Sequence, residues 1–200
     1  MRSVLLGVLV VWVWMLAGCG PRPVGGHGGA GGSAGAGGAG GSAGNVPFAV
    51  TSSAFTEGSP IPAEQQCTQI SGGQNTSPAL SWTPGPAGTQ SYAIVMRDLD
   101  IGFTHWVIWD IPANVTSLPA GVQTVFQPAT PSGAKQAALN ATIVGYFGPC
   151  SPTTVNTYEF RVYALPVASV PGLGQASTLA EAQAAIESQD LASAAVSGES

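Results

Sequence analysis

A short stretch in the middle of the chain brings together side chains that can exchange protons and bind ions. Asp98 and Asp100 are followed closely by Phe103 and His105. A carboxylate accepts hydrogen bonds, and an imidazole gains a positive charge near neutral pH and can then donate to an anion. The chain's other histidine, His27, lies in a glycine-rich stretch. Imidazole chemistry in the folded part must therefore involve His105.

A second stretch, residues 145–150, has the sequence Gly-Tyr-Phe-Gly-Pro-Cys. Gly148 allows a backbone to approach a ligand closely, and Pro149 holds the shape of the loop. Acids, a histidine, an aromatic side chain and such a loop together predict a small pocket for an anionic group. The same residues also fit turn acids, a buried histidine and an ordinary turn, and both interpretations stay open at this point.

The elements that must position these side chains are strands. Residues 91–97 and 105–111 are apolar and β-branched, and residues 98–104 between them fit a hairpin loop. If the two strands pair antiparallel, Asp98 and His105 lie at the same end of the sheet. Residues 157–164 alternate, which predicts a strand with one face in a core and one nearer solvent. Shorter candidate strands are residues 48–52, 79–82, 122–127 and 142–147.

One helix is predicted near the end of the chain. Thr178 and Glu181 have capping-box spacing, and apolar side chains follow at steps of three and four residues. We expect the helix to run from about residue 178 to 188. Many strands and one late helix predict a mainly β fold, a sandwich of antiparallel sheets with a C-terminal helix.

The N-terminus carries a targeting signal. Arg2 precedes an apolar run over residues 4–16 that is too short to span a bilayer comfortably. The run ends in Leu-Ala-Gly-Cys at residues 16–19, which resembles a bacterial lipobox. We therefore expect residues 1–18 to be a lipoprotein signal peptide and Cys19 to be lipidated. An ordinary signal peptide or a tilted membrane anchor is the alternative.

Residues 19–45 are predicted to be the lipidated cysteine and a flexible tether, because half of residues 20–45 are glycine. Such a coil spans roughly 25–30 Å. The domain would begin at residue 46 and continue to residue 200. By analogy with bacterial lipoprotein sorting, Gly20 after the cysteine favours the outer membrane if the host is Gram-negative. We expect a lipid-anchored protein of the cell envelope.

Cysteine use fits an oxidising compartment. With Cys19 assigned to lipid, Cys67 and Cys150 remain as a pair, and a disulfide between them is worth about 4–5 kcal/mol in the chain-entropy model. Two separate buried thiols are the alternative. The sequence has no zinc-ligand spacing, so we expect no metal and no cofactor.

Charge argues against nucleic acid as a partner. The net charge is −5, and beyond residue 45 only Arg97, Lys135 and Arg161 are basic, against ten acids. No basic stripe is present that could neutralise phosphates.

Several segments resemble the phosphatidylethanolamine-binding protein family, specifically its bacterial branch of Raf-kinase-inhibitor-like proteins. Residues 77–82 match the family's Ser-Pro-x-Leu-x-Trp, and residues 105–108 match its His-Trp-Val strand. The other matching segments, in the family's order, are residues 88–93, 98–100, 111–113, 118–121, 145–152 and 158–165, with a C-terminal tail over 180–198. The resemblance covers about residues 46–200.

The resemblance implies a β-sandwich with peripheral helices and a pocket for phosphate or a phospholipid headgroup at one end of the large sheet. Carried over by position, the pocket residues are Asp98, His105, Gly148, Pro149, Asn156, Tyr158, Asp100 and Phe103. Asp98 is expected to orient the imidazole by accepting its second N–H, and Tyr158 to offer a hydroxyl on an aromatic wall.

The chain departs from the family pattern at three places. The prolines of the family's Asp-Pro-Asp-Ala-Pro segment are absent around Leu99 and Ile101. The family's second pocket histidine corresponds to Asn156, which cannot become cationic, so weak anion binding or a changed ligand is expected. Residues 188–189, Ser-Gln, replace the Gly-His that often ends the helix.

Three functional classes follow from these observations. The first is a membrane-tethered binding protein for a small anion or a phospholipid headgroup. The second is an inhibitor or scaffold acting on a protein partner such as a kinase or protease, with a vestigial pocket. The third is an enzyme that uses Cys150 as a nucleophile activated by His105. A disulfide at Cys150 would abolish that route, and we expect the protein not to be an enzyme.

Overall fold

The structure, a computed structural model, describes residues 46–200. The predictions for residues 1–18 and 19–45, including the signal peptide, the lipidation of Cys19 and the tether, lie outside the described residues. No helix among residues 46–200 has the length and apolar character needed to cross a bilayer.

The described chain is mainly β. Its strands are β1 (Val50–Ser52), β2 (Ser59–Pro60), β3 (Leu80–Trp82), β4 (Ser91–Asp98), β5 (Phe103–Pro112), β6 (Ser117–Leu118), β7 (Lys135–Gln136), β8 (Thr157–Leu165) and β9 (Ala192–Glu199). One α-helix, α1 (Leu179–Glu187), and one short 3-10 helix (Ala63–Gln65) complete the described elements.

Two sheets pack face to face. The large sheet has the strand order β2-β9-β8-β4-β5-β7, and the small sheet has the order β1-β3-β6. All neighbouring strands are antiparallel except β2 and β9, which pair in parallel. The predicted sandwich and the predicted hairpin of β4 with β5 are confirmed.

Alternation along the strands of the large sheet divides the apolar side chains between two cores. Ile94, Met96 and Phe160 face the small sheet and belong to the main core. Val95 and Tyr163 lie on the opposite face, in a second core covered by α1. The outer face of β8 was expected nearer solvent, but the helix covers part of it. Each fully buried aliphatic or aromatic side chain contributes about 1.5–3 kcal/mol.

The predicted C-terminal helix is confirmed. Thr178 is the N-cap, its hydroxyl accepts a hydrogen bond from the backbone N–H of Glu181, and the Glu181 carboxylate accepts one from the N–H of Thr178. Leu179, Ala182 and Ile186 form the buried face that seats the helix on the sheet.

Two of the predicted short strands are wrong. Residues 122–127 form no strand: the carbonyl of Phe126 accepts from the backbone N–H of Gln136 in β7, but the carbonyls of Gln123 and Val125 accept from the side-chain amide of Gln136. Residues 142–147 contain only an isolated bridge at Val144. There the Asn140 carboxamide oxygen accepts from the N–H groups of Thr142 and Ile143 and holds a turn.

Strand β5 is bulged twice against β4. Met96 pairs with Trp106 and Arg97 with Thr104, so His105 is an extra residue between two paired positions. A second register shift lies nearer the other end of the hairpin, where Asp110 has a positive φ of 57°. Bulges re-aim side chains and often lie beside functional sites. Both bulges of β5 carry a titratable side chain.

Candidate functional site

Three strand ends of the large sheet converge on one small site. Asp98 ends β4, and its register partners are Phe103 at the start of β5 and Tyr158 near the start of β8. The predicted placement of Asp98 and His105 at one end of the sheet is confirmed by this register. The bulge frees His105 from the strict alternation of β5, so its ring reaches the same cavity as Asp98.

The turn between β4 and β5 is held by Asp98 itself. Its Oδ1 accepts from the backbone N–H of Asp100 at 3.0 Å and of Ile101 at 3.2 Å. An aspartate at the start of a turn stabilises it in this way. Gly102 closes the turn with a φ of 69°, which disfavours any larger side chain.

The orientation of His105 differs from the prediction. Its Nδ1 lies 3.1 Å from the carbonyl oxygen of Phe147, and no hydrogen bond joins the ring to Asp98. Because a carbonyl can only accept, Nδ1 carries the proton and donates it to Phe147. The expected role of Asp98 as the acceptor for the ring is therefore wrong. Nε2 makes no hydrogen bond within residues 46–200.

Aromatic rings surround the imidazole. The ring of Phe103 lies edge-on at a centroid distance of 4.9 Å, and Tyr158 lies edge-on at 5.3 Å. Phe147 stacks against the other side at 5.6 Å. This packing buries His105 and fixes its ring in one orientation.

Burial lowers the pKa of His105 below its ordinary value of 6.5. The backbone of Phe147 and Gly148 and the negative charge of Asp98 oppose this shift without cancelling it. The imidazole of the free protein is therefore mostly neutral at pH 7, and Nε2 is an acceptor. Protonation would turn Nε2 into a charged donor.

The buried carboxylate of Asp98 has neutral partners only. Its Oδ2 accepts from Nδ2 of Asn156 at 2.7 Å. Burial alone would raise the pKa of Asp98, but the hydrogen bonds from Asn156, Ile101, Tyr158 and Asp100 outweigh it and hold the pKa below its ordinary value. Within residues 46–200 the salt bridges join Lys135 to Asp110 and Arg161 to Glu159, so none involves Asp98.

Gly148 and Pro149 support the site from behind. The N–H of Gly148 donates to Oδ1 of Asn75 at 2.7 Å, and the carbonyl of Pro149 accepts from the N–H of Cys67 at 2.9 Å. A Cβ at Gly148 would collide with the backbone of Gln65, so glycine is required there. Their neighbours in sequence, rather than these two residues, face the cavity.

The predicted disulfide is confirmed. Cys67 and Cys150 are bonded and lie 83 residues apart in sequence. The N–H of Cys150 donates to the Tyr158 hydroxyl at 3.3 Å, and the Ser151 hydroxyl lies 2.7 Å from the same oxygen. Burial raises the pKa of Tyr158, although its hydrogen bonds to Ser151 and Cys150 oppose the shift, so the phenol stays protonated at neutral pH.

These side chains enclose a cavity of about 270 Å³. It is lined by Asp98, Ile101, Phe103, His105, Phe147, Cys150, Ser151 and Tyr158. The volume is below the range usual for drug-sized ligands, so the cavity suits a small group. A larger cavity of about 400 Å³ beside Phe126 and Gln136 has no titratable side chain in its lining.

The structure brings together some of the predicted pocket residues and excludes others. Asp98, Phe103, His105 and Tyr158 line the cavity. Asn156 acts through Asp98, since its amide binds that carboxylate.

Asp100 does not face the cavity. Its Oδ2 accepts from the N–H of Thr157 at 2.6 Å and ties the hairpin turn to β8. The lining residues that sequence reasoning missed are Ile101, Phe147 and Ser151. Phe147 could have been found as the aromatic residue directly before the Gly-Pro loop.

Comparison with known proteins places this geometry in a family. The sequence model described as phosphatidylethanolamine-binding protein matches residues 51–200. A UPF0098 protein of Aquifex aeolicus is 35% identical over 154 residues, covering 74% of this chain and 85% of the relative. A UPF0098 protein of Methanothermobacter thermautotrophicus is 37% identical over 115 residues, covering 56% of this chain and 72% of the relative.

A solved structure has the same fold. The crystal structure of Escherichia coli YbcL, described as a new member of the mammalian PEBP family, has a TM-score of 0.68 and 29% sequence identity. The match covers 76% of this chain and 96% of the YbcL chain.

Proposed function

Because the chain belongs to the phosphatidylethanolamine-binding protein family, we propose that residues 46–200 form a binding domain for a small anionic group taken up together with a proton. The anionic group is a phosphate or the phosphate of a phospholipid headgroup. It binds in the cavity between Asp98 and Ser151, against the free Nε2 of His105.

The main support for this proposal is the hydrogen bonding and protonation of His105. Nδ1 is committed to the Phe147 carbonyl, so Nε2 is the ring atom that can meet a ligand. In the free protein the cavity holds the ionised carboxylate of Asp98 and no cationic side chain. An anion therefore needs a positive charge that the resting site lacks. Protonation at Nε2 supplies that charge and a charge-assisted hydrogen bond at the same time.

Other groups around the cavity complete the ligand environment. The hydroxyls of Ser151 and Tyr158 are donors that can turn towards an oxygen of the ligand. The rings of Phe103 and Phe147 exclude water from the imidazole and strengthen its electrostatic interactions. Asn156 supplies no charge, which favours modest affinity.

Titration of histidine-labelled protein in NMR tests this proposal. The chain has two histidines, so His27 in the glycine-rich stretch serves as an internal control for His105. The probes are inorganic phosphate and glycerophosphoethanolamine, a phosphodiester whose phosphate keeps one negative charge from pH 5 to 8. We expect both probes to shift the His105 signals and to leave those of His27 unchanged.

The pH dependence gives the decisive result. Because binding takes up a proton, the dissociation constant for the diester should fall as the pH falls towards the pKa of His105, by at most about tenfold per pH unit. His105→Gln should abolish this dependence, since glutamine cannot be protonated there. Affinity that rises with pH would instead indicate a cationic ligand beside Asp98. No shift at millimolar probe would overturn the proposal and favour the inhibitor or scaffold role.

We expect binding without catalysis. The nucleophilic route through Cys150 needs a thiolate, and the sulfur of Cys150 is bonded to Cys67. Thiol titration of the unreduced protein tests this directly: a reactive thiol at Cys150 would reopen the enzymatic alternative.

We propose further that Cys19 carries a lipid and anchors the domain to a membrane of the cell envelope. Support for this comes from the sequence of residues 16–20 alone. Labelling with a radioactive fatty acid in a bacterial host tests it, because Cys19→Ser should abolish incorporation. Incorporation that survives this change would contradict the anchor.

A further inference from the structure

Exposed apolar side chains lie in or beside the hairpin turn that borders the cavity. They are Leu99, Ile101, Phe103 and Val155, with exposed fractions of 45%, 70%, 39% and 73%. We call these four residues the apolar rim. Ile101 and Phe103 also line the cavity. Both backbone groups of Thr157 contact the hairpin turn, which places Val155, two residues earlier, beside it.

The position of the rim distinguishes it from ordinary surface. Single exposed apolar residues are normal, but several beside the entrance of a cavity that holds a carboxylate and an imidazole indicate an interaction surface. Leu99 and Ile101 stand in the turn that the carboxylate of Asp98 holds in shape. Their side chains are therefore presented outward by a fixed backbone.

An unpaired cation lies beside the hairpin turn, on the face of the sheet opposite the cavity. Within residues 46–200, Lys135 and Arg161 each form a salt bridge, whereas Arg97 forms neither a salt bridge nor a side-chain hydrogen bond. Its strand neighbour Glu159 is bound by Arg161 through two hydrogen bonds. The guanidinium of Arg97 reaches the hairpin turn, 4.0 Å from the position of a Cβ at Gly102.

We propose that the apolar rim and Arg97 dock on the surface of a phospholipid bilayer. The rim side chains enter the boundary between headgroups and acyl chains, and the Arg97 guanidinium binds a lipid phosphate outside the cavity. The cavity mouth then opens onto the headgroup layer. This inference rests on the proposed function for what enters the cavity and on the proposed anchor at Cys19 for the choice of a bilayer, whereas the docking itself does not use His105.

The predicted tether makes a bilayer the favoured occupant over a protein. Residues 20–45 would span roughly 85 Å if fully extended. The described chain begins near the opposite end of the sheet, because Phe48 stacks on Tyr92 at the start of β4. The strand from Tyr92 to Asp98 is about 20 Å long. The tether is therefore long enough to let the rim reach the membrane that holds Cys19.

Charge specifies the kind of bilayer. Residues 46–200 carry ten acidic and three basic side chains, so an anionic leaflet repels the domain. Arg97 contributes one local contact to phosphate and does not reverse this balance. A zwitterionic surface, such as phosphatidylcholine or phosphatidylethanolamine, is the expected partner.

Quenching by lipids brominated on their acyl chains tests the docking on the full chain. Ile101→Trp places a reporter in the rim, and Leu191→Trp is the matched control, since Leu191 is 44% exposed at the far end of β8. On brominated phosphatidylcholine vesicles we expect quenching of the reporter at position 101 and none above background at position 191. Equal quenching at both positions, or none at 101, would overturn the proposal.

A second set of variants tests which side chains hold the rim at the membrane. With Val155→Trp as the reporter, the double change Leu99→Ser with Ile101→Ser should lower the ratio of quenched to unquenched reporter about tenfold. Arg97→Gln should lower it by up to about fivefold, the most that an exposed ion pair with a lipid phosphate contributes. Reporter fluorescence that depends on protein concentration without vesicles would show self-association through the rim and would contradict bilayer docking.

The two proposals fail separately. Leu99→Ser, made with the Val155→Trp reporter, should weaken quenching but still bind glycerophosphoethanolamine in solution with unchanged shifts at His105, because neither residue lines the cavity. Loss of quenching with intact binding assigns the rim to the bilayer. Intact quenching in His105→Gln, with binding lost, separates the docking from the cavity.

Discussion

The two bulges of β5 place titratable residues in opposite circumstances. At one bulge the buried carboxylate of Asp110 accepts from Lys135 and Ser169 at 2.7 Å each and from the N–H of Val170 at 2.8 Å. At the other bulge His105 lies beside the buried carboxylate of Asp98, whose hydrogen-bond donors are all neutral.

The difference separates a structural carboxylate, Asp110, from a candidate binding-site carboxylate, Asp98. The Asp110 cluster balances its own charge and joins β5 to β7 and to the segment before α1. The Asp98 site keeps an unbalanced charge next to a cavity, with a neutral imidazole that can still change its state. Buried groups of the second kind mark candidate binding sites, because an incoming ligand can complete their charge balance.

Removing the balanced carboxylate should have the largest effect on stability. Asp110→Ala leaves Lys135 without its partner, leaves the N–H of Val170 unsatisfied and puts alanine at a positive φ, so we expect a loss of about 3 kcal/mol. Urea unfolding measures it. Asp190→Ala, at an exposed position, is the control and should stay within about 0.5 kcal/mol. A loss at position 110 no larger than that of the control would remove the structural half of the contrast.

Replacing the carboxylate of Asp98 should reduce the free energy of unfolding by less, and it should also change the pKa of His105. Asp98→Asn keeps an oxygen for the turn N–H groups but faces the amide of Asn156 with a second amide, so we expect a loss of about 1–2 kcal/mol. The variant also removes the negative charge that favours protonated His105, so the pKa of His105 should fall further. NMR titration measures this with His27 as reference. An unchanged midpoint for His105 would show that the two groups are not coupled.

Adding a second imidazole beside Asp98 should increase the affinity of the cavity for an anion. In Asn156→His the new ring can donate to Asp98 and, once protonated, contribute positive charge to an anion site. We expect glycerophosphoethanolamine to bind about fivefold more tightly at pH 6, the gain typical of a charge-assisted hydrogen bond. Thr153→His adds an imidazole to an exposed position in the same loop and should change nothing. Equal gains in both variants would point to general charge rather than to the site.

The smallest effect is the dependence of stability on pH. Because the folded-state pKa of His105 lies below 6.5, the unfolded chain binds this proton first, and the free energy of unfolding should fall as the pH drops below about 6.5. The contribution of Asp98 has the same sign but is lost only below about pH 3.8.

Urea unfolding of the protein and of His105→Gln at pH 7.5 and 5.5 measures the histidine contribution alone. The decrease between these two pH values should be smaller in the variant. A decrease of equal size would mean that burial of His105 does not govern stability in this range.

Sequence pattern predicted the elements whose hydrogen bonds run between strands or within a helix. The hairpin of β4 with β5, the alternation of β8 and the capped helix were all found this way. It failed at residues 122–127, because the side-chain amide of Gln136 binds the carbonyls of Gln123 and Val125, and the backbone bond from β7 to Phe126 does not extend into a strand. It also gave no propensity signal for β9, whose alanine, serine and glycine residues are held in the sheet by tertiary pairing with β8.

The sequence predicted several residues of the site but not the hydrogen bonds that orient them. The hairpin argument correctly placed Asp98 and His105 at one end of the sheet. It could not find the bulge at His105, because one extra residue in a strand leaves no local sequence signal. Nor could it find the bond from His105 to Phe147, which joins residues 42 apart in sequence and depends on how the Gly-Pro loop folds back.

Arg97 and Asp98 are consecutive residues, and alternation along β4 turns their side chains to opposite faces of the sheet. An insertion or deletion of one residue within β4 would exchange them, directing a guanidinium to the cavity side of the sheet and a carboxylate to the opposite face. Length changes in this strand should therefore invert the polarity of the site rather than merely weaken it. Relatives that lengthen or shorten the protein here are expected to do so in the turn after Asp98, and to leave the strand itself at constant length.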